Sequence, residues 1–180
     1  MMKKFSKLIN EKNSFKYEYG CVMLDLNVKN WNKIITDIID KDDIYDEEGY
    51  GLETEPHITL LFGYGDDVQD KDIKEICEKY IKPTIILSKI SIFENDDFDV
   101  VKFDIENDLV IQINKDLSIL PHTSTFPDYQ PHATISYIKK GKGKKYIQEL
   151  KENIKIESDK IIYSKPTGTS KKNKITILKW

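Results

Sequence analysis

Two stretches, Glu55-Pro56-His57-Ile58-Thr59-Leu60-Leu61 and Gln130-Pro131-His132-Ala133-Thr134-Ile135-Ser136, present the same order of residue types: proline, histidine, an apolar residue, threonine, then apolar or β-branched residues. In an extended strand alternate side chains share a face. His57 and Thr59 then point one way, while Ile58, Leu60 and Phe62 point the other. His132 and Thr134 share a face in the same manner, and the alternation carries Ser136 with them. An imidazole and a hydroxyl about 6.7 Å apart along one strand both reach a single phosphate. Two such strands side by side make a site.

The chain holds three histidines, and each has Thr or Ser two positions later. The third, in His122-Thr123-Ser124, is followed by Phe126-Pro127 rather than by a strand and reads as a loop histidine. The matched pair lies 132 − 57 = 75 positions apart, one copy in each half of the chain.

Outward from the motifs, Tyr17 to Leu26 reads as a strand. Val28 to Ile39 reads as a helix, with Trp31, Ile34, Ile35, Ile38 and Ile39 at helical spacing. Asp40 to Glu48 reads as an acidic, solvated loop leading towards the first motif strand, His57 to Tyr64, with a lid over the cleft as the alternative. A second helix spans Val68 to Ile81, stopped by Pro83. Thr84 to Phe93 and Phe98 to Ile105 form an antiparallel pair. Asn107 is placed to cap a third helix carrying Leu109, Ile113, Leu117 and Leu120, with extension of a strand through Val110-Ile111-Gln112-Ile113 as the alternative. After a loop from Pro121 to Gln130 comes the second motif strand, His132 to Ile138, then a Lys-Gly run from Lys139 to Lys145. Tyr146 to Asn153 reads as a short helix, and strands Ile154 to Ser164 and Lys174 to Trp180 close the chain. This order describes an α+β domain with largely antiparallel sheets. The 180 residues fit a single domain with residues 1–16 as a loose arm or short helix.

Composition narrows the function. A net charge of −3 argues against long nucleic acid as a partner, because such binding draws on many neutralised phosphates. All 28 basic residues are lysine, so no guanidinium fork is available to grip a phosphate. No apolar run is long enough for a membrane span, and the N-terminus lacks a signal-peptide core, which reads as a cytoplasmic protein. Cys21 and Cys77 lack metal-ligand spacing and read as small core residues. No metal site or cofactor is expected.

Two histidines suffice for phosphoryl transfer. Unperturbed imidazole titrates near 6.5, so near neutral pH one ring serves as base and the other as acid. Thr59 and Thr134 would donate to the non-bridging oxygens. Ser136, Lys139 and the aromatics Tyr19 and Trp180 are further candidates for contact with substrate.

The paired motifs resemble those of the two-histidine phosphoesterase superfamily. The surroundings Gly49-Tyr50-Gly51-Leu52-Glu53-Thr54-Glu55-Pro56-His57 and Gln130 to Tyr137, with the following Lys-Gly run, are most similar to bacteriophage anti-CBASS phosphodiesterases. The resemblance implies a two-lobed, pseudo-symmetric α+β fold whose antiparallel sheets, flanked by helices, enclose a central cleft. It also implies metal-independent cleavage of cyclic di- and trinucleotides, with His57, Thr59, His132 and Thr134 as the working residues. RNA ends carrying 2′,3′-cyclic phosphates or 2′,5′ linkages are the alternative substrates, and a non-catalytic nucleotide-sequestering protein is the alternative class. A homodimer is left open, since nothing in these residues demands a second subunit.

Overall fold

The computed structural model describes residues 18–123, 128–168 and 173–180; the expected N-terminal arm lies outside them. Seven strands and three helices follow in the order β1 (Gly20–Leu26), α1 (Trp31–Ile38), β2 (His57–Tyr64), α2 (Asp70–Cys77), β3 (Thr84–Glu94), β4 (Phe98–Asp104), α3 (Asp108–Leu117), β5 (His132–Lys139), β6 (Gln148–Lys165) and β7 (Asn173–Lys179) among the described residues. None of these helices is long and apolar enough to cross a membrane.

All neighbouring strands pair antiparallel in the order β1-β2-β5-β4-β3-β6-β7, and a further β1–β6 pairing closes the ring. The 18-residue β6 makes that closure possible. Its first half pairs with β3 and its second half with β1 and β7, so one strand runs through both lobes. One lobe contains β2, β1, the end of β6 and β7; the other contains β5, β4, β3 and the start of β6. Each places its motif strand beside the strand that precedes a helix, as β1-α1-β2 and as β4-α3-β5. The pseudo-symmetric two-lobed α+β architecture expected from the motifs is therefore present.

Alternation in the strands selects the buried face. Val22, Leu24, Ile58, Leu60, Phe103, Ala133 and Ile135 are fully buried and meet Ile35, Ile73, Cys77, Ile113 and Leu117 from the helices in one core. Each aliphatic side chain so buried contributes about 1.5–3 kcal/mol, which commits the opposite, polar face of both sheets to the cleft. Asn107 caps α3 as expected: its Oδ1 accepts from the Val110 amide at 3.1 Å, and its Nδ2 donates to the Thr84 carbonyl at 2.9 Å. Asn107→Ala is expected to lower stability by about 1–2 kcal/mol, measured by urea unfolding.

Two expectations are corrected. Tyr146 to Asn153 is not a helix. A 3₁₀ turn at Gly143–Tyr146 leads directly into β6, where Gln148 and Glu149 pair with Ile90 and Lys89. The helical spacing of Tyr146 and Leu150 loses to the demand of the 11-residue β3 for a partner along its second edge. The acidic segment after α1 is not a free lid either. Asp43 is buried, paired with Lys145 at 2.5 Å and accepting from the Tyr146 hydroxyl at 2.6 Å, and Ile44 bridges to Ile138.

Candidate active site

Strands β2 and β5 meet at one registered pair, Ile58 opposite Ala133, both fully buried. Counting antiparallel from that pair places His57 across from Thr134 and Thr59 across from His132. The four side chains therefore flank the Ile58–Ala133 pair on the cleft face. All four are half-buried. Two stretches 75 positions apart become one site because their apolar intermediates are buried back to back.

Both rings are oriented alike. His57 Nδ1 lies 2.7 Å from the Glu55 carbonyl, and His132 Nδ1 lies 2.7 Å from the Gln130 carbonyl. A carbonyl only accepts, so each Nδ1 carries its hydrogen and each Nε2 is left as the titrating atom. The proline between each histidine and its accepting carbonyl, Pro56 or Pro131, favours the extended approach that brings that carbonyl within reach.

Immediately after each threonine the strand bulges. Thr59 pairs with Met23 but Leu61 with Val22, so Leu60 is extra. Thr134 pairs with Lys102 but Ser136 with Val101, so Ile135 is extra. A one-residue bulge turns every later side chain to the opposite face. Phe62, which simple alternation places in the core, is 42% exposed. Ser136, which alternation places beside His132, is instead fully buried and donates to the Gly51 carbonyl at 3.2 Å. On the β2 side the exposed carbonyls of the bulge are answered by side chains, Tyr129 Oη donating to Thr59 O at 2.8 Å and Asn114 Nδ2 to Leu60 O at 2.6 Å.

The other proposed contacts scatter. Tyr19 packs edge-on against Phe62, ring centroids 6.0 Å apart. Trp180 is half-buried and donates its indole N–H to the Tyr80 carbonyl at 3.2 Å. Lys139 ends β5, about 23 Å along the strand from His132, and donates to the Asp42 carbonyl at 2.6 Å. Others of the Lys-Gly run pair away from the motifs, Lys144 with Glu94 and Lys145 with Asp43. His122 bridges to Tyr64 at the far end of β2, apart from the other two histidines.

Four charged neighbours escape sequence reading because they lie on the adjoining strands. Asp25 on β1 is opposite His57, and Lys160 on β6 is opposite Asp25 at 3.4 Å. In the second lobe Asp104 on β4 is opposite His132, and Lys89 on β3 lies 3.9 Å from Asp104. The same His-Asp-Lys row thus crosses three strands in each lobe. A groove of about 730 Å³ opens beside His57, lined by Asp25, Trp31, Lys160, Ile162 and Lys174 among others.

Burial disfavours the imidazolium of His132 and lowers its pKa. The Gln130 carbonyl opposes that shift, Lys102 and His57 add to it, and Asp104 acts against them. Burial tends to raise the Asp104 carboxyl, but hydrogen bonds from Lys102 and Ser91 outweigh it and hold the group below the usual carboxylate range. Cys21 Sγ approaches Thr59 Oγ1 at 4.0 Å; burial pushes this thiol up to about 11, so it is not a thiolate nucleophile at neutral pH. Among the described residues no group of three or more His, Cys, Asp or Glu side chains is placed to hold a metal ion.

No protein-family model matches the chain, and no curated protein matches it by sequence. Solved structures do match. E. coli LigT complexed with 3′-AMP aligns over 91% of this chain and 97% of its own, with a TM-score of 0.62 and 13% identity. Kluyveromyces marxianus Usb1 with uridine monophosphate aligns over 89% and 98%, with a TM-score of 0.59 and 8% identity. A further phosphoesterase aligns over 91% and 97%, with a TM-score of 0.57 and 11% identity. At such identities the likeness is one of fold: with two lobes joined through a shared strand and a His-x-Thr strand from each meeting in the cleft, this chain has the two-histidine phosphoesterase fold.

Proposed function

We propose that the protein is a metal-independent phosphodiesterase that opens cyclic di- and trinucleotides, and so removes the signal of a bacterial antiviral response. The observation that carries this reading is the four-residue patch. Two imidazoles present Nε2, and two threonine hydroxyls lie across from them. One ring takes a proton from the attacking oxygen while the other gives one to the leaving oxygen, and the hydroxyls hold the charge that gathers on the non-bridging oxygens. The groove beside His57 supports a substrate extending beyond one nucleotide, with Lys160 and Lys174 placed to meet a further phosphate. The negative net charge suits a small anion held locally better than a long polyanion.

A second reading keeps the chemistry and changes the substrate to RNA ends, 2′,3′-cyclic phosphates or 2′,5′ linkages. It is favoured by the small nucleotides bound in the similar structures, 3′-AMP in LigT and uridine monophosphate in Usb1. Incubation in EDTA with cyclic di- and trinucleotides, 2′,3′-cyclic AMP and a 2′,5′-linked oligoadenylate separates the two. Prompt cleavage of the cyclic oligonucleotides is expected. Cleavage of the RNA-end substrates alone would transfer the protein to RNA processing. Binding without product would make it a sequestering protein, and activity lost to EDTA and restored by a divalent ion would replace the metal-free mechanism.

A further inference from the structure

The two lobes match in the rows that carry the histidines and differ in the rows that carry the threonines. Across from Thr59 stands Met23, with Ile162 beyond it on β6. Across from Thr134 stands Lys102, with Ser91 beyond it on β3. Lys102 is only 4% exposed, although it lies on the polar face of the sheet. Its ammonium bonds Asp104 Oδ1, donates to Ser91 Oγ at 2.7 Å and lies 4.3 Å from the centroid of the Phe93 ring. That same ring meets His132 edge-on, centroids 5.0 Å apart and planes at 90°.

We propose that Lys102 divides the labour between the histidines, making His132 the base that takes the proton from the attacking oxygen and His57 the acid that protonates the leaving oxygen. The inference rests on the phosphodiesterase reading above and adds to it a positioning residue and a direction. The groups around each ring carry the argument. His132 faces Lys102 and Asp104 from β4, the uncharged Phe93 from β3 with Lys89 behind Asp104, His57 from β2, and the Gln130 carbonyl from the preceding turn. Two ammoniums thus stand against one carboxylate, and the Asp104 oxygen that would favour a charged ring is already bonded by Lys102 and Ser91. His57 faces Asp25, whose Lys160 balances it one to one, and the neighbouring Glu55 is paired with Lys174. A further positive charge is therefore disfavoured at His132, whereas beside His57 one carboxylate stands against one ammonium. Removal of the cleft from bulk water strengthens that difference, because a buried cation is poorly screened.

The step balances. The O–H proton of a 2′-hydroxyl or water passes to Nε2 of His132 as the new P–O bond forms. The bond to the leaving oxygen breaks with its electron pair on that oxygen, and the proton on Nε2 of His57 neutralises it. The rings then re-equilibrate with water.

The test compares a cyclic dinucleotide with a nucleoside 3′-(4-nitrophenyl phosphate), whose leaving group departs without a proton. His57→Ala is expected to lose at least tenfold less activity on the nitrophenyl ester than on the dinucleotide, and His132→Ala to lose equally on both. In Lys102→Met, which copies Met23, His132 keeps its proton to higher pH. Since the base must be neutral, the acidic limb of kcat/KM is expected to move up by roughly one pH unit, and Lys102→Arg to restore it. Rescue of His132→Ala instead, equal rescue of both, or an unmoved acidic limb in Lys102→Met would overturn the proposal while leaving the phosphodiesterase standing. No turnover of either ester by the wild-type protein would overturn the cyclic-oligonucleotide reading, and the proposal with it.

Discussion

Alanine at His57 or at His132 is expected to lower turnover of the natural substrate by about 10²–10⁴-fold, the usual contribution of a positioned acid or base. Each ring is half-buried, and its Nδ1 hydrogen bond is local, to the carbonyl two residues back, so the core does not depend on it. The variants should therefore keep the circular dichroism and urea midpoint of the parent while losing activity. The double variant should lose little more than the worse single one, because two groups that serve one proton-transfer step act as a unit. Full activity in either single variant would remove the acid-base assignment altogether. Simultaneous loss of stability and activity would turn that histidine into a structural residue.

The largest expected loss of stability comes from Gly63→Ala, near the end of β2. Gly63 has φ of 112°, a conformation that side-chain-bearing residues rarely adopt, and a Cβ there would lie 2.1 Å from the Thr123 carbonyl oxygen. That neighbour is backbone, and it cannot simply rotate away: the Thr123 amide donates to Gly63 O at 2.9 Å, and the adjacent Tyr64 bridges to His122. Backbone strain of about 1–3 kcal/mol combines with loss of that contact, and a total of about 2–5 kcal/mol is expected, much of the stability of an ordinary domain. Gly141→Ala supplies the control, since Gly141 has φ of 78° and nothing within 4 Å of a Cβ. It should incur the strain alone. Urea unfolding of both variants decides the matter; equal losses would show that the approach of Thr123 is not what holds this glycine.

Much of the fold was legible because it rests on local periodicity. Period-two alternation found β1, β2, β3, β4 and β5, and period 3.6 found α1, α2 and α3. The capping role of Asn107 follows from its side chain alone. The error at Tyr146 to Asn153 has the opposite origin. Its apolar spacing suits a helix, and only the unpaired edge of β3, far away in sequence, recruits it into a strand. The bulges after Thr59 and Thr134 were invisible for a related reason. A bulge is a mismatch between two strands, and one strand carries no record of its partner's register. The misplacement of Phe62 and Ser136 follows from that single omission in each lobe.

The site divides along the same line. By itself the sequence determined that His57 and Thr59, and His132 and Thr134, share a face, because residues two apart on a strand must do so, and the matching of the two copies pointed to one site. Which carboxylate and which lysine stand beside each imidazole was decided only by tertiary pairing. Asp25, Lys160, Asp104, Lys89 and Lys102 reach the histidines across strands, from positions 28 to 103 residues away in the chain, and local spacing holds no record of such contacts.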